Sequence, residues 1–465
     1  MLVAGTARTD ITPPDGIAHA GWGAQTHQRA EGVDFPLYCT VLYVTDENKS
    51  TELAILDIDT GIISVDQDRK LRDMVADACG ITHDNLRVSY THTHSGPVTG
   101  VSWIVEGADL IEPWLESIYE KSAIAVNQAK KNAKKVRVTT ASGQCEINVN
   151  RRPQTEDGTR YTGRDWEGFV DHEVLVTAFD DEDGAPVATI VNYACHPTIM
   201  AQDNRLITPD YPGVTRKVVE DNVGGTCLFL QGAAGNIGPI DGFTGDLAVY
   251  RKAGHRLGLE ASRIRMGMDP VPRKERLVKI EPSGADLGLY VDEQSGEPDD
   301  TLSVTISRVT LPAKELPPPE QVRADFDSAQ QRLEEVRKRT KDIEEIKKAA
   351  FPSKRAYIAL NIAQVFGKGG SVELPVQVMR IGNTAFVALP VEPFAEIGVE
   401  VKAQSPADWT VFGGYSNGYY GYMPMRYAYP QGGYEVTTSP FAPGAGEQAI
   451  EACVQAIEDV WRKSL

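Results

Sequence analysis

Two of the eight histidines of this 465-residue chain stand in one tripeptide, His92-Thr93-His94. A strand-like run, Leu86 to Tyr90, comes directly before them. Side chains two residues apart on an extended segment point to the same side. Both imidazoles could therefore serve one metal ion, or one could bind metal while the other moves a proton. A hydrogen-bonded surface pair is the alternative explanation for this spacing.

A third histidine follows another strand-like segment. Val187 to Val191 is rich in Val and Ile, and His196 stands shortly after it, directly before Pro197. Proline disfavours helical dihedral angles in the residue before it, so we expect His196 in an extended conformation. A single histidine of this kind is more often a hydrogen-bonded core residue than a ligand. Two strand-end histidine sites in one chain, however, favour convergence on a common centre.

Two glycine-rich segments could bring backbone N–H groups close to a ligand. The first, Gly232 to Pro239, follows a strand-like run and matches no nucleotide-binding motif. The second, Gly413 to Tyr422, is followed by further tyrosines, which predicts either an aromatic-walled surface or a pocket with phenol ligands. Between the two segments, Glu392 lies between prolines after an apolar run and carries no prediction by itself.

Taken in order, these segments resemble the catalytic N-terminal domain of the neutral/alkaline non-lysosomal ceramidase family. Each motif is short, but the order in which they occur along almost the whole chain is specific. The matching segments are Gly5 to Pro13, Thr91 to Pro97, Asn150-Arg151, His196 to Thr198, Gly235 to Pro239, Glu392 and the tyrosine-rich stretch that ends at Tyr434.

The resemblance implies one zinc ion, with ligands at four positions of this sequence: His92, His196, Glu392 and Tyr422. Tyr422 is assigned because it is the last residue of an Asn-x-Tyr-x-x-Tyr pattern that begins at Asn417. Nitrogen and oxygen ligands of this kind suit Zn²⁺. A zinc ion lowers the pKa of its bound water to about 7 and polarises a carbonyl group.

The resemblance also implies three catalytic residues. His94 corresponds to the second histidine of the family motif, which acts near the scissile bond. Arg151 and Tyr434 correspond to residues that contact the substrate. In ceramidases the glycine-rich loop reads Gly-Asp-Val-Ser-Pro and its serine is important for activity, whereas Gly238 stands at that position here. No counterpart of the family's immunoglobulin-like C-terminal domain and no signal peptide are recognisable, so we expect a substrate other than ceramide.

We therefore predict a zinc-dependent hydrolase that cleaves an amide (C–N) bond of a small soluble substrate by metal-activated water. One alternative keeps the metal site but cleaves an ester, lactone, glycosidic or phosphate-type bond, since the ligand set does not distinguish these electrophiles. The other is a non-catalytic ligand-binding homologue in which the missing serine marks loss of turnover. Retention of all four ligand positions argues against that last alternative.

Composition excludes several classes of protein. Lys and Arg number 47 against 65 Asp and Glu, and the resulting net charge of −18 argues against a partner rich in phosphate, such as nucleic acid. No run approaches the roughly 20 apolar residues that a membrane span requires. The six cysteines are scattered without a CxxC pair, which predicts reduced thiols and a cytoplasmic protein.

Strand-like and helix-like segments alternate over the first 270 residues. This alternation predicts an α/β fold with mixed β-sheets flanked by helices, organised as a single ceramidase-like catalytic domain over residues 1–465. A helical-hairpin insertion is expected at 317–366, with one long helix over Glu320 to Lys348 and a second over Lys354 to Val365. A homo-oligomer formed through this insertion is a further expectation.

Overall fold

Strands and helices alternate along most of the chain in the computed structural model, which describes residues 1–20, 22, 24–25, 27–99, 104–269 and 273–462. Within these residues the α-helices are α1 (Val65–Cys79), α2 (Ile111–Lys131), α3 (Tyr211–Val223), α4 (Leu247–Met266), α5 (Pro319–Arg339), α6 (Ile343–Phe366), α7 (Ala395–Gln404), α8 (Tyr434–Thr438) and α9 (Ala445–Arg462). The strands are β1 (Leu2–Asp10), β2 (Gly32–Val33), β3 (Tyr38–Asp46), β4 (Glu52–Ile58), β5 (Leu86–Tyr90), β6 (Lys134–Gln144), β7 (Asn148–Asn150), β8 (Glu173–Asp181), β9 (Pro186–Tyr193), β10 (Leu206–Ile207), β11 (Thr226–Gln231), β12 (Ile237–Pro239), β13 (Arg273–Glu281), β14 (Leu287–Gln294), β15 (Leu302–Ala313), β16 (Gly370–Ile381), β17 (Thr384–Ala388), β18 (Glu392–Pro393), β19 (Trp409–Gly413) and β20 (Tyr422–Met423).

The largest sheet has eight strands in the order β11-β9-β8-β6-β1-β3-β4-β5. Two of its strand pairs, β4 with β5 and β9 with β11, are parallel, and the other pairs are antiparallel. The sheet is strongly curled, since β11 at one end is hydrogen-bonded to β4, which lies near the other end. Phe229 N donates a 2.8 Å hydrogen bond to the carboxylate of Asp57.

Four layers build the body of the protein. One face of the eight-stranded sheet packs against α1 and α2 and, further along, against α3 and α4. Its other face packs against a second sheet, β15-β16-β17-β19, whose far side is covered by α7 and α9. Strands buried on both faces read as nearly continuous apolar runs, as in Cys227 to Leu230 of β11. The α/β class and mixed sheets predicted from the sequence are confirmed.

The helical segment after residue 317 differs from the expectation. The prediction of a single long helix over Glu320 to Lys348 is wrong, since α5 ends at Arg339 and α6 begins at Ile343. The break lies where Asp342 caps α6 by accepting hydrogen bonds from the backbone N–H groups of Glu344 and Glu345. α6 then continues through Pro352, so the predicted gap between Lys348 and Lys354 is helical.

The two helices pack against the body as well as against each other. Leu333 and Ala350 form a small apolar cluster with Ala18 and Ile104. The position of α5 and α6 thus brings them close to the segment that contains Trp22, whose carbonyl oxygen lies 3.4 Å from the Lys354 ammonium nitrogen.

A two-stranded hairpin was missed by the sequence analysis. β13 and β14 pair only with each other among the described strands, and every residue of both is exposed except Glu281, which is half-buried. We call residues 273–294 the arm. Among the described helices, none has the length and apolar composition to cross a bilayer. The six cysteines are all free and buried.

Candidate metal centre

The carboxyl ends of three strands meet at one buried point. β5 leads to His92 and His94, β9 leads to His196, and β17 leads to Glu392. Ligand atoms of the three imidazoles all lie within 4.8 Å of one another. One oxygen of Glu392 lies 3.0 Å from His196 Nε2 and 3.5 Å from His92 Nε2. The structure therefore brings together residues from both large sheets, as expected for sites at strand ends.

His92 does not have the extended backbone that the sequence analysis assumed. Its φ is +64°, in the left-handed region, and its backbone N–H donates to Thr60 O at 2.9 Å. A non-glycine residue in this region costs on the order of 1–2 kcal/mol. The chain thus turns sharply after Tyr90, yet the two imidazoles still meet, with 3.3 Å between the Nε2 atoms of His92 and His94.

The orientation of His196 is fixed by a backbone carbonyl. Its Nδ1 lies 2.6 Å from Ala234 O, and because a carbonyl oxygen only accepts, Nδ1 carries the hydrogen. Burial, followed by the charge of Arg151, lowers the pKa of His196 from 6.5 to about 4, so the ring is neutral near pH 7. Its Nε2 then carries a lone pair and no hydrogen. An imidazole held in this way by a backbone carbonyl is typical of metal-ligating histidines.

Two hydrogen-bond acceptors that have no donor lie next to each other in this centre. Neither His196 Nε2 nor the nearer oxygen of Glu392 has a hydrogen-bond partner, although both are fully buried. Two acceptors 3.0 Å apart repel each other unless a cation lies beside both. The residues present thus fit a metal ion.

Glu392 is held in place by its neighbours on both sides. Its other oxygen accepts a 2.6 Å hydrogen bond from the Tyr419 hydroxyl. The backbone of the glycine-rich loop also packs tightly here, since a Cβ on Gly235 would lie 2.5 Å from Glu392 O. Glycine is therefore required at this position.

Tyr422 lies beside Glu392, because β18 and β20 pair in parallel with these two residues opposite each other. Its ring stacks parallel to that of His196, with 6.4 Å between centroids. Arg151 Nη2 donates a 2.9 Å hydrogen bond to the Tyr422 hydroxyl. Burial raises the pKa of Tyr422 well above 10, while the charge of Arg151 acts in the opposite direction.

A buried carboxylate that the sequence analysis missed orients Arg151. Glu435 accepts from Arg151 Nε at 2.9 Å and from Arg152 Nη1 at 2.6 Å. All three side chains are at most 7% exposed. The available signal was the position of Glu435 directly after Tyr434 in a Gly-Tyr-Glu segment. Two arginines sharing one carboxylate make this a rigid support for Tyr422.

Aromatic side chains border the centre. The ring of Trp22 lies 5.0 Å from that of His94, and its Nε1 donates to His94 O at 3.1 Å. Phe243 meets Trp22 edge-on at 5.8 Å. On another side, Tyr434 is 52% exposed and lies 5.6 Å from Tyr422. Burial, followed by the charges of the two neighbouring histidines, lowers the pKa of His94 well below 6.5.

These features define an α/β protein with a buried metal-binding type of centre, in which three imidazoles could hold an ion. The family is shown by comparison with known proteins: the chain belongs to the neutral/alkaline non-lysosomal ceramidase family, whose N-terminal model matches residues 2–237. The resemblance stated from the sequence is thereby confirmed. Neutral ceramidases are amide hydrolases, which agrees with the predicted enzyme class.

Individual relatives are similar to part of this chain, and a solved structure shares its fold. A neutral ceramidase of Oryza sativa is 25% identical over 231 residues, which are 47% of this chain and 28% of that protein. Neutral ceramidase A of Dictyostelium discoideum is 29% identical over 149 residues, 31% of this chain and 21% of that protein. The matched part thus spans less than a third of these relatives. The crystal structure of the Pseudomonas aeruginosa neutral ceramidase is 18% identical, with a TM-score of 0.70 over 99% of this chain and 75% of that one.

Proposed function

We propose that this protein is a zinc-dependent hydrolase that cleaves an amide bond of a small soluble substrate. The observation that carries the proposal is the pair of unpartnered acceptors, His196 Nε2 and Glu392 Oε2, which face each other at 3.0 Å inside the protein. Membership of a family of amide hydrolases supports the reaction type.

In this proposal four side chains hold the ion: His92, His196, Glu392 and Tyr422. Two neutral imidazoles, a carboxylate and a phenol oxygen suit Zn²⁺. When bound, the ion activates water for attack at neutral pH and polarises the scissile carbonyl. The chain fixes the geometry, because Ala234 O orients His196, Tyr419 orients Glu392 and Arg151 orients Tyr422.

His94 moves the proton in this proposal. Its lowered pKa leaves the ring neutral, so Nε2, which faces the cluster, can accept a proton during attack and return it to the leaving amine. Tyr434 stands exposed at the rim, where its hydroxyl can contact the substrate. Arg151 supports Tyr422, and as a buried cation it would oppose negative charge that develops near the Tyr422 hydroxyl.

The substrate is proposed to be a small soluble amide and not ceramide. Gly238 has no hydroxyl, and a Cβ added there would lie 3.5 Å from the Cβ of Arg151, so the position borders the support of Tyr422. We place the protein in the cytoplasm, in line with its six free cysteines.

Metal content tests the proposal directly. The purified protein should bind one zinc ion per chain, measured by elemental analysis after dialysis. His92→Ala and His196→Ala should each lower the bound zinc at least about tenfold. His255→Ala is the matched control, since this exposed histidine on α4 bonds only the Arg251 carbonyl among the described contacts and should leave metal content unchanged.

Activity is then measured on a panel of small amides, esters and lactones. The proposal expects amide cleavage that is lost with a chelator and restored by Zn²⁺. Full activity after exhaustive metal removal, or unchanged zinc in His92→Ala and His196→Ala, would refute it. Cleavage confined to esters or lactones would replace the amide assignment and keep the metal centre.

A further inference from the structure

Tyr415 places a buried hydroxyl in the candidate metal centre, and the proposed function gives this residue no role. Its ring lies 4.5 Å from that of His92 and meets His196 nearly edge-on at 5.9 Å, both measured between centroids. The side chain is buried and packs in an apolar cluster with Ala234 and Ile237 of the glycine-rich loop. Tyr415 therefore forms part of the wall of the centre.

The backbone of Tyr415 has an unusual conformation. Its φ is +51°, in the left-handed region that residues with a Cβ rarely adopt. Two backbone hydrogen bonds hold it, from Tyr415 N to Val391 O at 2.9 Å and from Tyr90 N to Tyr415 O at 3.0 Å. These bonds tie the residue to the segments that lead to Glu392 and to His92. Left-handed residues other than glycine persist where the surrounding structure holds them, and they are concentrated at active sites.

The hydroxyl of Tyr415 is a donor without an acceptor. It is fully buried and forms no hydrogen bond with any of the described residues. The Glu392 carboxylate lies near it, but the two groups do not meet with hydrogen-bond geometry. Burial raises the pKa of Tyr415 well above 10, so the hydroxyl keeps its proton at neutral pH. An unpaired buried hydroxyl destabilises a protein, and here it indicates a bound group that accepts from it.

The acceptors around this hydroxyl are already engaged. Glu392 Oε1 accepts from Tyr419, and Glu392 Oε2 lies beside His196 Nε2, where the proposed function places the ion. The Tyr422 hydroxyl accepts from Arg151, whose charge also acts on Tyr415. The acceptor that remains is the carbonyl oxygen of a substrate bound at the centre.

We propose that Tyr415 is a further catalytic residue, whose hydroxyl donates a hydrogen bond to the scissile carbonyl oxygen while that oxygen becomes negatively charged. The inference rests on the proposed amide hydrolysis. Water adds to the carbonyl carbon and gives a proton to His94 Nε2, and the π electrons of the carbonyl move to its oxygen. When the carbonyl forms again, the C–N bond breaks and His94 gives the proton to the leaving amine. Tyr415 keeps its own proton throughout, and such a preorganised donor stabilises charge best where water is excluded.

Tyr415→Phe tests the proposal, because phenylalanine keeps the ring and removes only the hydroxyl. For the best amide of the panel, kcat should fall by about 100- to 1,000-fold, as expected for the loss of one donor to an oxyanion. KM should change by less than about threefold, since the hydrogen bond strengthens only as charge develops. Zinc content should equal that of the wild type. Loss of zinc would make Tyr415 a metal ligand and overturn the proposal, and so would an unchanged kcat.

Tyr419→Phe is the matched control, since Tyr419 lies beside the same carboxylate but its hydroxyl has a partner. Tyr415→Phe should leave Tm at or above that of the wild type, because it removes a buried hydroxyl that has no acceptor in the protein. Tyr419→Phe should lower Tm by about 1–3 °C, because Glu392 loses a donor. An equal decrease of Tm in both variants would show that Tyr415 only supports Glu392, which would overturn the proposal.

Isothermal titration calorimetry with acetohydroxamate tests Tyr415 without turnover. This small molecule binds zinc through oxygen atoms that also accept hydrogen bonds, and its Kd should rise about tenfold in Tyr415→Phe. Equal affinity in the wild type and the variant would overturn the proposal. The two hypotheses can fail separately. A wild type that binds zinc but cleaves no amide refutes the proposed reaction, and the Kd for acetohydroxamate then still decides whether Tyr415 donates to a bound oxygen. A wild type without zinc refutes both.

Discussion

Replacing Glu435 by glutamine should destabilise the protein much more than a matched change at the surface. Its carboxylate bonds the guanidinium groups of Arg151 and Arg152 at 2.9 and 2.6 Å, and all three side chains are at most 7% exposed. Glutamine keeps the shape but removes the charge, leaving two buried cations without a carboxylate. Breaking a buried ion pair from one side costs about 3–5 kcal/mol.

That free energy converts into a measurable shift. At ~2.1 cal/mol/K per residue, the unfolding entropy of a chain of 465 residues is about 1 kcal/mol/K. Glu435→Gln should therefore lower Tm by about 3–5 °C in differential scanning calorimetry. Glu373→Gln is the control, because its pair with Arg308 at 3.2 Å is about 60% exposed on both sides. Such surface pairs contribute under about 1 kcal/mol, so the control should shift Tm by less than about 1 °C.

The same variant should also affect the candidate metal centre. Arg151 loses the partner that aims its Nη2 at the Tyr422 hydroxyl. We expect kcat to fall while the KM for a small amide changes little, since the support of a metal ligand is altered. Equal Tm shifts in Glu435→Gln and Glu373→Gln would refute the reasoning, because the two pairs would then contribute alike despite their difference in burial.

Two further outcomes follow from the structure. Gly235→Ala should lower both Tm and zinc content, since its Cβ would lie 2.5 Å from Glu392 O. Gly238→Ser should change Tm by less than about 1 °C, because a Cβ at this position has its nearest contact at 3.5 Å, to Arg151. Gly238→Ser should also not create ceramide hydrolysis. An equal decrease of Tm in the two variants, or hydrolysis of ceramide by the unmodified protein, would contradict these expectations. The stability of the protein should fall as the pH is lowered from 6.5 to 4, in part because of His19. Burial is the main cause, and the charge of His27 the second, that lowers the pKa of His19 from 6.5 to about 4. In that window the unfolded chain binds more protons, so the free energy of unfolding drops by on the order of 3 kcal/mol, and urea melts of His19→Gln should show a smaller pH dependence than the wild type. An unchanged pH dependence would exclude His19 as a source.

The histidine half of the centre could be predicted from the sequence. His92 and His94 follow β5, and His196 follows the Val- and Ile-rich β9; strand ends in α/β proteins are where sites form. Glu392 has no such local signal, since its partners lie in the other sheet, and only the family resemblance pointed to it. The left-handed backbone of His92 could not be predicted either, because a tertiary hydrogen bond to Thr60 holds it.

Other elements show why local patterns were insufficient. The break before α6 depends on a capping aspartate, Asp342, within a charged stretch that otherwise favours continuous helix. In the sequence nothing distinguishes Glu435 from a surface carboxylate, because its partners Arg151 and Arg152 come next to it only in the folded protein. The arm had a usable signal, since the turn-forming segment Pro282 to Asp286 separates two strand-like runs.

The candidate centre also joins the two large sheets, which has a consequence for folding kinetics. His196 ends a strand of the eight-stranded sheet, while Glu392 follows a strand of the second sheet. A cation shared by these two residues can be bound tightly only after the sheets have docked, which is a late event because it closes a long stretch of chain. Interactions that form after the transition state slow unfolding and leave the folding rate nearly unchanged. The ion would thus prolong the lifetime of the folded protein, and chelation would shorten that lifetime before any change in refolding rate is seen.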